Sequence, residues 1–244
     1  MEKSKGNVLV TGCSAGGLGY ALAKAFRDQG FHVLATVRNT SKAADLTREK
    51  NIEVLTLDVT SATSIAECLE QEGKAAYDVN VWAPLTVAQA FAPLLIESKG
   101  VILNISSIAG AVPLVWQGLY NSSKAAATFL SETLKMELAP LGVRVVTAMV
   151  GAIGTTLYNG HEVSLPKTSY YKPIEEYIKR QSRGEMQEPF NESVDATARN
   201  IVKDTLAGRR GQIWRGGEAG RASILSWLIP TAIRERILHA DKQQ

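Results

Sequence analysis

Apolar and polar positions along this chain follow two alternating periods. Asn7 to Thr11 ("NVLVT") is a short apolar run that ends in glycines. Apolar residues then recur at Leu18, Leu22, Ala25 and Phe26 until Gly30 stops the pattern, which predicts strand, glycine-rich turn and helix. Further strands are expected from His32 to Val37, from Ile52 to Leu57, from Val101 to Ile105, from Val143 to Val150 and near Gln212 to Trp214. Helices are expected from Ser64 to Glu70, from Leu85 to Ser98, from about Ser122 to Leu138 with Pro140 as the stop, and from about Val194 to Leu206. Such alternation of strand and helix implies an α/β fold whose parallel sheet is covered on both faces, hence three layers.

A chain of 244 residues is long enough to bury a full core and is expected to form one domain. Ile153 to Pro189 is irregular and rich in Gly, Pro, Tyr and Ser. Long irregular segments in compact domains are usually functional, so a substrate lid is expected over about 153–190.

Composition narrows the function classes. The net charge is only +3, although Arg199 to Gln244 holds nine Lys/Arg against four Asp/Glu, most simply a solvated basic face. There is no zinc-finger spacing or basic-aromatic interleave, which argues against nucleic acid. Cys13 and Cys68 make no disulfide framework, and Met1 to Lys5 lacks the apolar core of a signal peptide, so a cytoplasmic location is expected. No apolar run is expected to reach the roughly 18 residues of a membrane span. The nearest, Ile224 to Ile233 ("ILSWLIPTAI"), is broken by Pro230; it could rest peripherally on a membrane, cap a pocket or close the core.

The turn "TGCSAGGLG" at Thr11 to Gly19 comes after the first strand and opens the first helix. Glycines there let the backbone approach a pyrophosphate, and the helix N-terminus offers it free N–H groups, so Gly12, Gly17, Leu18 and Gly19 are candidate cofactor contacts. A tight turn with close helix packing is the plainer alternative. Arg38 comes directly after the second strand, where an Arg would pair with a 2′-phosphate and a carboxylate would accept from a 2′-hydroxyl. With no acid at that tip, NADP(H) is favoured over NAD(H), unless Arg38 is merely solvated. Asp58, with Val59 beside it at the tip of the third strand, could accept from the adenine amino group or cap the next helix.

Tyr120 and Lys124 in "YNSSK" are four apart, on one face of a helix. A phenol titrates near pH 10, so a nearby ammonium is expected to lower its pKa until it can trade protons with a carbonyl or alcohol oxygen. Ser107 ends a strand thirteen residues upstream and can donate to the same oxygen, while Ser106 points to the opposite face.

The motifs "TGCSAGGLG", "NISSIAG" at Asn104 to Gly110 and "YNSSK" resemble the short-chain dehydrogenase/reductase family over nearly the whole chain, most of all fungal members related to 1-acyldihydroxyacetone phosphate reductases. The resemblance implies a Rossmann-like doubly wound fold and hydride transfer between NADP(H) and a ketone or secondary alcohol. Tyr120 would be the general acid/base, Lys124 would also hold the nicotinamide ribose, and Ser107 would polarise the carbonyl. Ile153 and Thr155 match positions expected near the carboxamide, while Val150-Gly151 replaces the family's Pro-Gly. A dimer or tetramer through the helix bearing Tyr120 is implied as well. The substrate is expected to be an apolar small molecule of lipid or specialised metabolism, since Leu157, Tyr158, Tyr170, Tyr171, Tyr177 and Phe190 crowd the lid. These aromatics could equally just pack the loop.

One stretch departs from the resemblance. The family carries a fourth strand ending Asn-Asn-Ala-Gly and then a helix; here that motif is absent and "YDVNVWAP" comes at once after "GKAA". Either the strand and its helix are lost and Asn80 sits on a helix as the fourth catalytic residue, or Tyr77 to Trp82 has itself become the fourth strand. Alternation of Val79 and Val81 and the room between Leu57 and Val101 favour the strand. Asn80 would then be displaced, which keeps a catalytically weak nucleotide-binding protein as the alternative function.

Overall fold

A computed structural model describes residues 5–57, 76–156, 163–230 and 233. The chain forms two compact units, Met1–Ser64 with Ala152–Arg209 and Ile65–Gly151 with Arg210–Gln244.

The first unit begins with β1 (Asn7–Val10), α1 (Leu18–Asp28), β2 (His32–Val37) and β3 (Ile52–Thr56). The three strands pair in parallel in the order β1-β2-β3, with Val8 opposite Val33 and Ala35 opposite Val54. Helix α1 turns Ala21, Leu22, Ala25 and Phe26 inward, the face that the spacing in the sequence marks out.

In the second unit, β4 (Val101–Ser107), β5 (Arg144–Val150) and β6 (Gly211–Arg215) form a second parallel sheet in that order. Helix α2 (Ala83–Glu97) and the long α3 (Gly118–Leu138) accompany it. Their Ala88 and Leu134 close over Ile102, Val143 and Val145, with Leu85, Leu95, Leu130 and Leu138 around that cluster. Inside it Asn104 Nδ2 donates to Ser131 Oγ at 2.9 Å, and Ser131 shares a 2.7 Å bond with Thr147. The layer is thus fastened by polar contacts as well as apolar ones.

Tyr77 to Trp82 is not a strand. Asp78–Trp82 is a π-helical turn that runs directly into α2. Val79 and Val81 alternate too briefly to outweigh the helix signals downstream of them. Pro84 stands in the first turn of α2, and a stretch rich in Ala and Leu then favours helix. Thr86 Oγ1 also bonds back to the Trp82 carbonyl at 2.9 Å. The expected helix from Ser64 to Glu70 lies outside the described residues. The expectation about apolar runs is corrected here as well. Asp78–Glu97 is 20 residues of mean hydropathy 1.5, long and apolar enough to cross a membrane by length and composition alone. Its Val81, Ala83 and Ala88 are nonetheless buried in the second unit.

The segment read as an irregular lid contains α4 (Glu175–Ser182) before α5 (Val194–Leu206), and the chain continues through β6 to α6 (Ala219–Leu228). Helix α4 has Glu175 and Glu176 in its first turn and Lys179 and Arg180 in its last, which suits the helix dipole. Its one fully apolar anchor is Ile178, too little for a periodic signal. Helix α6 takes up the first five residues of the apolar run Ile224 to Ile233 and leaves Ile224, Trp227 and Leu228 exposed.

Candidate active site

The glycine turn lies in the first unit. Gly12 and Gly16 have φ of 72° and 76°, a region that side chains rarely adopt. At Gly19 a Cβ would stand 2.5 Å from the Gly12 carbonyl oxygen, so only glycine lets α1 start this close to the turn. Backbone bonds from Cys13 N to Thr36 O (3.0 Å) and Ala15 N to Lys42 O (2.8 Å) tie the turn to β2 and the loop after it. The residue capping α1 is Gly17, which has no side chain to cap with. Leu18 and Gly19 therefore open the helix with first-turn N–H groups suited to an anion. These features fit the pyrophosphate of a dinucleotide.

Cys13, within the turn, is fully buried and donates to the Val10 carbonyl at 3.3 Å. Burial pushes its thiol up to about 12, so it is a packing residue and not a nucleophile. Arg38 is exposed directly after β2. Ile153 bridges to Glu192, and Thr155 N donates to Ile153 O at 2.9 Å. Asp58, Val59, Leu157 and Tyr158 lie outside the described residues. Of the lid aromatics, Tyr170 is 98% exposed and Tyr171 and Phe190 are exposed as well, so these three line no described pocket.

Ser107, Tyr120, Lys124 and Asn80 all belong to the second unit. Ser107 ends β4, accepts from Ala109 N at 3.2 Å and shares a hydrogen bond with the Tyr120 hydroxyl. One helical turn beyond Tyr120, the Lys124 ammonium donates to the Ile105 carbonyl at 3.3 Å and lies 6.0 Å from the centre of the Tyr120 ring. Asn80, on the π-helical turn, donates from Nδ2 to Ser123 Oγ at 3.0 Å, and Ser123 Oγ donates to the Tyr120 carbonyl at 2.9 Å. The helical placement of Asn80 thus connects it to the tyrosine through one buried serine.

The electrostatics depart from the sequence expectation. Desolvation by burial raises the Tyr120 phenol above its ordinary value, and the Ser107 hydrogen bond pulls it only part of the way back. The Lys124 ammonium donates to the Ile105 carbonyl and is itself brought down to about 8 by burial. The phenol therefore keeps its proton near neutrality, the state needed to donate to a carbonyl oxygen.

Three positioning residues escape the motif reading. Ser106 Oγ and Thr128 Oγ1 both donate to the Lys124 carbonyl, at 3.1 and 2.8 Å. Gly110 faces the same carbonyl, and a Cβ there would approach it to 2.7 Å. Together they seat the turn of α3 that carries Tyr120 and Lys124 against the end of β4. A small residue in "NISSIAG" and a polar one on the buried face of a helix are the signals that could reveal them. Gly151 is fixed differently, since a Cβ would come within 2.0 Å of the Gly217 carbonyl oxygen. Among the described residues, no group of three or more His, Cys, Asp or Glu could hold a metal.

Residues 61–162 match the family model for short chain dehydrogenases, and residues 14–81 match an NAD(P)H-binding model. The short-chain dehydrogenase cctT of Talaromyces islandicus is 41% identical over 263 aligned positions, covering 94% of this chain and 91% of the relative. The NADPH-dependent 1-acyldihydroxyacetone phosphate reductase of Schizosaccharomyces pombe is 35% identical over 207 positions, covering 70% and 69%. Among solved structures, a short-chain dehydrogenase from Streptomyces avermitilis shares the fold with a TM-score of 0.75 at 23% identity, covering 98% of this chain and 97% of that one. A short chain dehydrogenase from Burkholderia cenocepacia in complex with NADP has a TM-score of 0.70 at 23% identity, covering 99% and 98%. Rossmann-like in fold and matched in sequence across nearly its full length, the chain belongs to the short-chain dehydrogenase/reductase family of NAD(P)-binding oxidoreductases.

Proposed function

We propose that this protein is an NADP(H)-dependent oxidoreductase that interconverts a ketone and a secondary alcohol on an apolar small molecule. The observation that carries this reading is the hydrogen bond between Ser107 and a protonated Tyr120, one helical turn from the buried ammonium of Lys124. When bound, the nicotinamide supplies or accepts the hydride. Ser107 and Tyr120 hold the substrate oxygen, and Tyr120 gives that oxygen a proton as the carbonyl carbon is reduced. Once released from the Ile105 carbonyl, the Lys124 ammonium would stabilise the phenolate left on Tyr120 and hold the nicotinamide ribose. Asn80, through Ser123, fixes the turn of α3 that carries Tyr120. Gly12, Gly17, Leu18, Gly19, Ile153 and Thr155 would hold the cofactor, as the motif also expects of Asp58 and Val59, which lie outside the described residues.

The choice of NADP(H) rests on Arg38 and is supported by the NADPH-dependent relative from Schizosaccharomyces pombe. Replacing Arg38 with Ala weakens NADPH binding about tenfold or more and leaves NADH nearly unchanged, since a charge-assisted bond to phosphate contributes on the order of 1.5–3 kcal/mol. Fluorescence titration of both cofactors checks this, and an unaltered NADPH/NADH ratio would remove the basis for the preference.

The apolar substrate is supported by the loop ahead of Tyr120, Ala111 to Trp116 ("AVPLVW"). Trp116 is held there at a φ of 57° with its ring partly exposed. The fungal relatives point to lipid or specialised metabolism, and the protein acts in the cytoplasm as a single catalytic domain with a lid over 153–190. It also works as a dimer or tetramer, because α3 exposes Phe129 by 77% and Met136 by 66%. Light scattering of the purified chain checks this, and a strict monomer at micromolar concentration would contradict it.

A second reading has its own observation: Lys124 is engaged by the Ile105 carbonyl. A catalytically weak nucleotide-binding protein would show this arrangement permanently, and cofactor binding without turnover of any ketone would favour it.

A further inference from the structure

The loop 111–117 joins Ser107 to Tyr120, the two groups that hold the substrate oxygen in the proposed reaction. It leaves Ser107 through the short turn Ile108–Gly110, where Ala111 N and Val112 N both donate to the Ile108 carbonyl, at 3.0 and 2.8 Å, and Val112 is buried. At its other end Gln117 flanks the start of α3. In that reading, what the loop presents borders the substituents of the reacting carbon.

Two local costs meet in this loop. Gln117 N donates to the Leu114 carbonyl at 3.4 Å, which closes a turn with Trp116 at its third position. Trp116 has a φ of 57° and Val115 is not among the residues of positive φ. This is the pattern of a type II turn, whose third position calls for glycine or asparagine. A bulky side chain there is an outlier that its surroundings must enforce. The second cost lies at Asn121. Its Nδ2 donates to the same Leu114 carbonyl at 2.6 Å, while its Oδ1 is buried with no hydrogen-bond partner among the described residues. Leaving a buried acceptor unpaired is unfavourable.

The distances show which bond holds the turn. At 3.4 Å the turn's own bond lies beyond the usual range, whereas the bond from Asn121 is short. Asn121 is itself seated by its backbone N–H, which donates to the Gln117 carbonyl at 2.8 Å. From the first turn of α3, Asn121 thus clamps the loop and keeps Trp116 in the left-handed region. Strain of this kind, held in place beside reacting groups, is a mark of function.

We propose that Trp116 determines substrate specificity: its indole is a flat apolar wall for a ring adjoining the reacting carbonyl, and Asn121 is the positioning residue that fixes it through Leu114. The inference rests on the reductase reading above and narrows its substrate to cyclic apolar ketones and the corresponding secondary alcohols. An indole face covers a rigid ring over a large area, whereas an open chain must first give up rotamer freedom to lie along it.

The probes are decalone, a fused bicyclic ketone, and the open-chain methyl ketone of the same carbon number, each reduced by the full-length chain with NADPH. The parent is expected to favour decalone by about tenfold or more in kcat/KM, the scale of discrimination that apolar pocket contacts provide. In Trp116→Gly, where glycine accepts the backbone conformation, and in Asn121→Leu, KM for decalone is expected to rise about tenfold with kcat nearly unchanged, the signature of lost uniform binding. Kinetics with the open-chain ketone stay as in the parent, and Trp116→Phe keeps most of the preference. Should Asn121→Leu misfold, as read by far-UV circular dichroism, Trp116→Gly against Trp116→Phe carries the comparison. A parent that reduces the open-chain ketone and not decalone, a ring preference unchanged in both variants, or a KM rise shared equally by the two ketones would each overturn the proposal and leave the reductase reading standing. A parent that reduces neither ketone would overturn both.

Discussion

Tyr120→Phe lowers turnover by about 10²–10⁴-fold, the usual contribution of a positioned general acid or base, and leaves cofactor binding unchanged. The substitution removes one oxygen from a buried ring that otherwise keeps its place on α3. Ser107 loses its partner but still accepts from Ala109 N, so the end of β4 is held as before. The two directions of the reaction should also differ. Burial keeps the proton on Tyr120, which serves carbonyl reduction near neutrality, whereas alcohol oxidation needs the phenolate and speeds up as pH rises. Steady-state rates in both directions across pH, with parallel NADPH titrations, check this. Equal rates in the variant would withdraw the role assigned to Tyr120.

Lys124→Met is the second large effect, and it separates activity from stability. The ammonium is buried without a carboxylate, and its pKa falls from 10.5 to about 8 through desolvation. The folded chain therefore releases this proton earlier than the unfolded chain does. Between about pH 8 and 10.5 the unfolded state binds more protons, so stability due to this residue rises with pH there and is lost as pH falls toward 8. Below 8 the folded state carries the full penalty. Methionine has similar length and no charge, so at pH 7 the variant is more stable than the parent by up to roughly 3 kcal/mol, a gap that closes by about pH 10.5. Turnover falls by a factor comparable to that of Tyr120→Phe. Cys13 acts in the opposite sense, since its raised pKa removes stability between about pH 9 and 12; it is present in both proteins and cancels in the difference. Urea unfolding of parent and variant at the two pH values is the check, and a variant less stable at pH 7 would mean that the ammonium contributes more by contact than it costs by burial.

Much of this was legible in the sequence, for identifiable reasons. Strands such as His32–Val37 and helices such as Val194–Leu206 combine a strong period with clear stops. The glycine turn and the Tyr120/Lys124 pair announce themselves because their chemistry dictates spacing. What the sequence hides is set by tertiary context. Val79 and Val81 alternate as strand residues do, but Val81 is buried on a helix and Asn80 between them bonds Ser123. The apolar stretch from Val79 to Ile96 is diluted by Asn80, Thr86 and Gln89, so it reads as ordinary until the helix is seen to be continuous. The Tyr120 phenol is raised and not lowered because burial, which a linear motif does not show, is the largest influence on it, and the Lys124 ammonium is engaged by a backbone carbonyl. Gly110 and Ser106 act through one carbonyl of α3, a contact that no linear motif encodes.

The most direct test of the proposed NADP(H)-dependent oxidoreductase is a fluorescence titration of the purified, folded 244-residue protein with NADPH and NADH. Saturable binding with NADPH preferred is the predicted result. A folded protein that binds neither cofactor would contradict it.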